Sequence, residues 1–158
     1  MSGKAVIAYF SASGVTAGVA REMARATGAD VLEIRPETPY TEADLDWTSK
    51  KSRSTLESKD DSCRPAIAGS VDVSGYDTIL LGFPVWWYVE PRIIDTFLDS
   101  CDLEGKRVVP FATSGGSGIE KAVDRMSRLH PEARWGRGRL LNSGGAAEWA
   151  KDVVGGSQ

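Results

Sequence analysis

The sequence has few of the residues that metal centres, thiol chemistry and disulfide frameworks require. Its 158 residues include two cysteines, Cys63 and Cys101, far apart and with no C-x-x-C pair, and one histidine, His130. That excludes a disulfide scaffold and leaves too few ligands for a metal site. Reduced thiols in a cytoplasmic protein are the expectation. Charge of one sign is equally scarce: 19 basic against 22 acidic residues give −3, and the basic residues are scattered rather than striped, so no nucleic-acid partner is expected. Long apolar runs are missing too. The most apolar window, 78–89, is too short to span a bilayer and contains Gly82 and Pro84, so no membrane association is expected. Met1-Ser2-Gly3-Lys4 runs straight into an apolar segment and does not read as a signal peptide. The length suits one domain over residues 1–158.

What is present is organised around residues 4–16. Ala5 to Phe10 is a near-unbroken apolar run, as a strand buried on both faces requires. It turns abruptly into Ser11-Ala12-Ser13-Gly14-Val15-Thr16, and a helical stripe of Val15, Val19, Met23 and Ala26 follows. Backbone amides at a helix start lack partners and favour negative charge. A phosphate would find there the hydroxyls of Ser11, Ser13 and Thr16, with Gly14 allowing close approach. Capping of the helix by the same hydroxyls is the competing reading. The loop lacks the Lys of a nucleoside-triphosphate loop and the glycine spacing of a dinucleotide fold.

Further along, Val31 to Arg35 alternates like an edge strand. Thr41-Glu42-Ala43-Asp44 resembles a capping box and predicts a helix from about Glu42, followed by a weak helix and an irregular connection over 48–70. Tyr76 to Phe83 and Lys106 to Ala112 read as buried strands, the second marred by Pro110, which is tolerable near a strand end. Helices are expected from Pro91 and from Ile119 to Leu129, closed by His130-Pro131; a short last strand near 138–141 and a final helix complete the pattern. Strands alternating with helices imply an α/β fold with a parallel sheet covered on both faces.

Ligands bind such sheets beyond the carboxyl ends of the strands, where strand order reverses. Three loops fall on that edge: 11–16, the aromatic 84–90, and 113–118. A ligand with a phosphate at one end and a flat, polar-edged ring at the other would use all three. Packing in the core or against a partner is the competing reading for the aromatics. Glu90 reads as a solvated loop charge, and Cys101 as an unreactive thiol.

Ser11-Ala12-Ser13-Gly14-Val15-Thr16 matches the [TS]-x-[TS]-G-x-[TS] phosphate loop of the flavodoxin-like proteins, and 82–87 and 112–118 resemble a bacterial branch of that family. The resemblance, from Lys4 to about Trp149, implies a three-layer sandwich with a five-stranded parallel sheet of order 2-1-3-4-5 and FMN at the switch point. It implies FMN contacts from Ser11, Ala12, Ser13, Gly14, Val15 and Thr16 to the phosphate. Pro84, Val85, Trp86, Trp87 and Tyr88, with Thr113, Ser114, Gly115, Gly116 and Ser117, would then hold the ring. The third loop lacks the aromatic that stacks on the flavin in many relatives, which leaves stacking to Trp86, Trp87 or Tyr88. The resemblance implies an electron carrier served by redox protein partners, with no catalytic side chain. An NAD(P)H-dependent quinone or nitro reductase of the same fold is the alternative, and monomer or homodimer stays open. An aspartyl-phosphate receiver is excluded, because Phe10-Ser11-Ala12-Ser13 carries no acidic pair for magnesium.

Overall fold

The computed structural model describes residues 4–12, 14–46, 48–60, 62–69, 71–113, 118–141 and 144–155. The first strand, β1 (Ala5–Tyr9), is buried at every position. It is flanked by β2 (Asp30–Glu33) and β3 (Thr78–Pro84); β4 (Arg107–Thr113) follows β3, and β5 (Arg134–Trp135) and β6 (Arg139–Leu140) both pair with β4. Every pairing is parallel, and the order is β2-β1-β3-β4-β5. This is the predicted order.

Side chains alternate between the two faces of a strand, and β1 divides accordingly. Val6 and Ala8 belong to one core with Ile93, Ile94 and Phe97 of α3 (Arg92–Asp99) and with Ala122 and Met126 of α4 (Glu120–Leu129). Ile7 and Tyr9 belong to a second core with Ala17, Ala20 and Met23 of α1 (Val15–Thr27) and with Trp149 and Ala150 of α5 (Ala146–Val154). Two helical layers therefore enclose one sheet. No helix among the described residues is long and apolar enough to cross a membrane.

Several local expectations need correction. The buried face of α1 is Thr16, Ala17, Ala20 and Met23, while Val15 is 55% exposed. The small residues face inward because α1 packs closely against α5 and the sheet. No helix starts at Glu42. Thr41 and Asp44 do exchange the hydrogen bonds of a capping box (Thr41 N to Asp44 Oδ2, 2.9 Å; Asp44 N to Thr41 Oγ1, 3.1 Å), but only turns follow. A cap cannot sustain a helix that has little apolar surface to bury. The helix of this region is α2 (Arg53–Lys59), whose N-cap is Ser52.

Pro110 lies in the middle of β4, not near its end. In a parallel pairing the N–H and C=O of one residue point to the same side. The carbonyls of Lys106, Val108 and Ala112 accept from Arg134, Gly136 and Leu141, so alternate residues of β4, Pro110 among them, face the β5–β6 side. There the missing N–H coincides with residues 136–138, which part β5 from β6. Gly136 and Gly138 pass close to their neighbours. A Cβ on Gly136 would lie 2.9 Å from a Val109 methyl, and one on Gly138 would lie 2.8 Å from a Val123 methyl. The fifth strand is thus two short pieces, of which only the second was predicted. His130 ends α4 as expected, its N–H bonded to Met126 O at 2.9 Å.

Candidate functional site

The carboxyl ends of β1, β3 and β4 lie side by side. Tyr9 is opposite Gly82, and Pro84 is opposite Thr113. The loops that leave them share one edge, beside the point between β1 and β3 where the strand order reverses.

In the first loop, Ser11 Oγ accepts from the N–H of Gly14 at 3.1 Å and of Ala17 at 3.2 Å. Gly14 occupies the N-cap with φ 94°, a left-handed geometry that glycine adopts without a Cβ penalty, and has no side-chain cap of its own. Ser11 therefore caps α1 from across the loop, holding the N–H groups of Gly14 and Ala17. Thr16, buried in the first turn of α1, directs Oγ1 to Thr113 Oγ1 at 2.9 Å, and Thr113 is buried as well. This hydroxyl pair ties the first loop to the last residue of β4. Sequence spacing gave no sign of it, since the partners are 97 residues apart. Ala12 is half-buried and packs on the first core, and Val15 faces solvent. Ser13, Ser114, Gly115, Gly116 and Ser117 lie outside the described residues.

The second loop is a tight hairpin. Val85 N donates to Thr113 O at 2.9 Å, and Trp86 and Val89 exchange both backbone bonds, at 3.0 and 3.2 Å. The two residues between them, Trp87 and Tyr88, have φ of 50° and 74°. Consecutive left-handed residues define a type I′ turn, a geometry favoured by Asn-Gly and costly for bulky side chains, by about 1–3 kcal/mol each. Yet both aromatics sit there with 39% and 56% of their surface exposed. The fold gains no buried core from placing them at this tip.

The three aromatics have separate environments. Trp86 meets Phe10 edge-on at 5.7 Å between centroids and Tyr40 at 5.4 Å, so it leans on the first core. Tyr40 donates its hydroxyl to Glu57 of α2, and the Arg53 guanidinium stacks 3.9 Å from its ring centroid. Burial, then the hydrogen bond to Glu57, holds the Tyr40 phenol well above its usual range. The stretch around α2 thus braces Tyr40 behind Trp86, a role the sequence pattern did not reveal. Tyr88 lies under Lys121 of α4, whose Nζ is 4.9 Å from the ring centroid.

Glu90 is not a solvated loop charge: it is 1% exposed. Arg125 Nη1 contacts Glu90 Oε2 and donates to Asp95 Oδ2 at 2.8 Å, while Arg92 Nη1 approaches the same Asp95 oxygen at 3.7 Å. Glu90 Oε1 and Asp95 Oδ1 have no hydrogen-bond partner among the described residues. Burial first, then the neighbouring Asp95 carboxyl, push the Glu90 carboxyl up to about 9 against the opposing pull of Arg125. It therefore carries its proton at neutral pH. Cys101 is half-buried and burial pushes its thiol up, which keeps the thiolate scarce. Among the described residues no group of three His, Cys, Asp or Glu side chains is placed to hold a metal.

This edge offers hydrogen-bond donors at one end and exposed aromatic surface at the other. The same architecture occurs in solved structures. A provisionally assigned flavoprotein from Bacteroides eggerthii is 44% identical, with TM-score 0.90 over 96% of this chain and 98% of its own. A second, from Bacteroides uniformis, is 46% identical with TM-score 0.90, over 98% of this chain and 99% of its own. A flavoprotein from Lactobacillus acidophilus, solved in complex with FMN, shares the fold at 22% identity, TM-score 0.72, over 98% and 99% of the two chains. No curated protein sequence matches. The family model described as flavodoxin matches residues 4–155, nearly the whole chain, and the protein belongs to the flavodoxin family.

Proposed function

We propose that the protein binds FMN at this edge and serves as an electron carrier. The observation that carries the reading is the type I′ turn, which holds Trp87 and Tyr88 exposed at an energetic cost, on the edge where Ser11 draws in the N–H groups of Gly14 and Ala17. Strain of this kind persists where function requires the conformation. The donor set fits the cofactor. Neutral hydroxyls and amides suit a single terminal phosphate, and exposed aromatic faces suit a ring.

In this reading the first loop, Ser11 to Thr16 with Ser13, receives the phosphate, and Thr113 to Ser117 line the polar edge of the ring. Pro84 and Val85 bring the hairpin to the edge, Trp87 and Tyr88 present their faces to the ring, and Trp86 backs them from the core. When bound, FMN supplies the redox chemistry, which the protein tunes by stacking, hydrogen bonding and nearby charge. The side chains orient and shield; none is assigned as an acid or base toward a substrate.

Titration of the apoprotein with FMN, FAD and riboflavin tests the assignment. FMN is expected to bind most tightly, and equal affinity for riboflavin would sink the phosphate site. Thr16→Ala is expected to weaken FMN binding by roughly 1–2 kcal/mol, the range for a hydrogen bond to a charged group, with little change for riboflavin. Because the substitution also removes the bond to Thr113, thermal melts of the apoprotein should show a loss of about 1 kcal/mol. Equal losses for the two flavins would trace the effect to helix and loop geometry instead.

The carrier and reductase readings part over turnover. A reductase must admit nicotinamide face-on to the ring, and in this reading the hairpin aromatics cover that approach. Steady-state NADH or NADPH oxidation with quinone acceptors is expected to be negligible, with ready reduction by a flavodoxin reductase or by light. Turnover on the order of ~10 s⁻¹, typical of enzymes, would establish the reductase.

A further inference from the structure

Helix α4 reaches the aromatic hairpin twice. Lys121 Nζ lies 4.9 Å from the Tyr88 ring centroid, and Arg125, four residues on and so on the same helical face, pairs with Glu90. The residues on either side of Val89 are therefore both held by one helix. Arg125 extends the contact to α3, donating from the same Nη1 to Asp95 Oδ2 at 2.8 Å. The carboxyl groups at this junction are fully buried, whereas the Lys121 contact is at the surface.

The hairpin needs such a hold. Its two left-handed residues are bulky, and within the loop only the Trp86–Val89 backbone pair closes it. A two-residue turn of Trp and Tyr has easier conformations available, and those would aim the rings elsewhere. A planar guanidinium fixed between two buried carboxyls sets position and orientation together. In sequence, α4 also begins directly after the third loop. One helix is thus covalently continuous with one loop of the ring site and hydrogen-bonded to the other.

We infer that α4 sets the geometry of the aromatic turn, with Arg125 as a positioning residue for the ring end of the site and Lys121 as its outer guide. The inference rests on the FMN reading above only for what the turn receives; that α4 controls the turn stands on the contacts themselves. Arg125 acts through Glu90 and through the backbone of residues 87–90, and touches no ligand.

The test compares Arg125→Met with Arg128→Met, an exposed α4 position paired with Asp124 on its own helix at 2.8 Å. Circular dichroism establishes folding. Fluorotyrosine labelling of the apoprotein, with the Tyr88 resonance assigned through Tyr88→Phe, reports the turn directly by ¹⁹F NMR. Arg125→Met is expected to shift or broaden the Tyr88 resonance and to weaken FMN and riboflavin alike by about tenfold, within the range of residues that act on a site without touching its ligand. Arg128→Met should do neither. Equal losses for both flavins mark the ring end, in contrast to the FMN-selective loss at Thr16. A folded Arg125→Met protein with an unmoved Tyr88 resonance overturns the inference. If that variant does not fold, Lys121→Met, at an exposed position, decides: it must move the Tyr88 resonance, and an unchanged one refutes control by α4. A wild type that binds neither flavin refutes the FMN reading, while the Tyr88 resonance still decides whether α4 positions the turn.

Discussion

A protein carrying Asn-Gly in place of Trp87-Tyr88 is expected to melt at a higher temperature than the wild type and to lose most of its flavin affinity. Both wild-type residues have positive φ in a two-residue hairpin, the geometry that Asn-Gly adopts most readily. Relief of strain gains about 1–3 kcal/mol per residue. Against it stand the Lys121–Tyr88 contact, about 0.5–1 kcal/mol at an exposed site, and the backbone freedom of a new glycine, about 0.5–1 kcal/mol. The balance favours the variant by about 1 kcal/mol or more, which for a domain of this size raises Tm by roughly 2–4 °C per kcal/mol. Loss of two aromatic contacts with the ring should cost on the order of 2 kcal/mol or more of binding, as expected for removal of buried aromatic anchors. Opposite signs for stability and affinity would identify the turn as a feature kept for binding. A variant that melts lower would show that the aromatics hold the fold together. One that binds flavin normally would show that they do not meet the ring.

Glu90→Gln is expected to flatten the pH dependence of unfolding between about pH 5 and 9. In the unfolded chain this carboxyl titrates near its ordinary 4.5; in the fold it is pushed up to about 9. Across that interval the folded protein holds a proton that the unfolded chain has released. The stability contributed by this group is complete below the unfolded value and declines as pH rises, until the folded carboxyl ionises near 9. Asp95 from α3 and Arg125 from α4 are the charged groups that face it, and Arg92 approaches Asp95 from within α3. Glutamine keeps the shape and cannot ionise, and Arg125 retains Asp95 as a partner. Each unit between the two values is worth about 1.4 kcal/mol, so the wild type should be less stable than the variant at pH 8–9 by roughly 2–3 kcal/mol even if half the separation is effective. Urea unfolding at pH 5, 7 and 9 provides the comparison. A slope that persists unchanged in the glutamine variant would place the buried proton elsewhere.

The sheet and the loops on its edge were legible because burial on both faces leaves little choice of residue. Ala5 to Phe10, Tyr76 to Phe83 and Lys106 to Ala112 read as interior strands, and alternation with helices implies their parallel pairing. What could not be read depended on partners distant in sequence. Glu90 resembles any loop carboxylate until α3 and α4 close over it. Thr16 and Thr113 are ordinary hydroxyl residues until two strand ends bring them together. The Thr41–Asp44 box shows the reverse case, a local signal fully formed in its hydrogen bonds without the helix it usually announces. Tyr40 carries no signal of its role, because nothing in its own neighbourhood indicates that Trp86 rests against it.

Pro110 has a consequence for how this protein meets other proteins. By parting β5 from β6 it leaves the outer side of the sheet as two segments of two residues each, separated by 136–138. An incoming strand needs a continuous row of main-chain donors and acceptors to extend a sheet, and interrupted edges deny it one. At the opposite margin β2 spans four residues, and the chain beyond it is met by 66–68, through Glu37 N to Ala66 O at 2.8 Å and Ala68 N to Arg35 O at 2.7 Å. Both margins are poor templates for strand addition. Any association with another protein is therefore directed to side-chain surfaces, where shape and charge can select one partner over another.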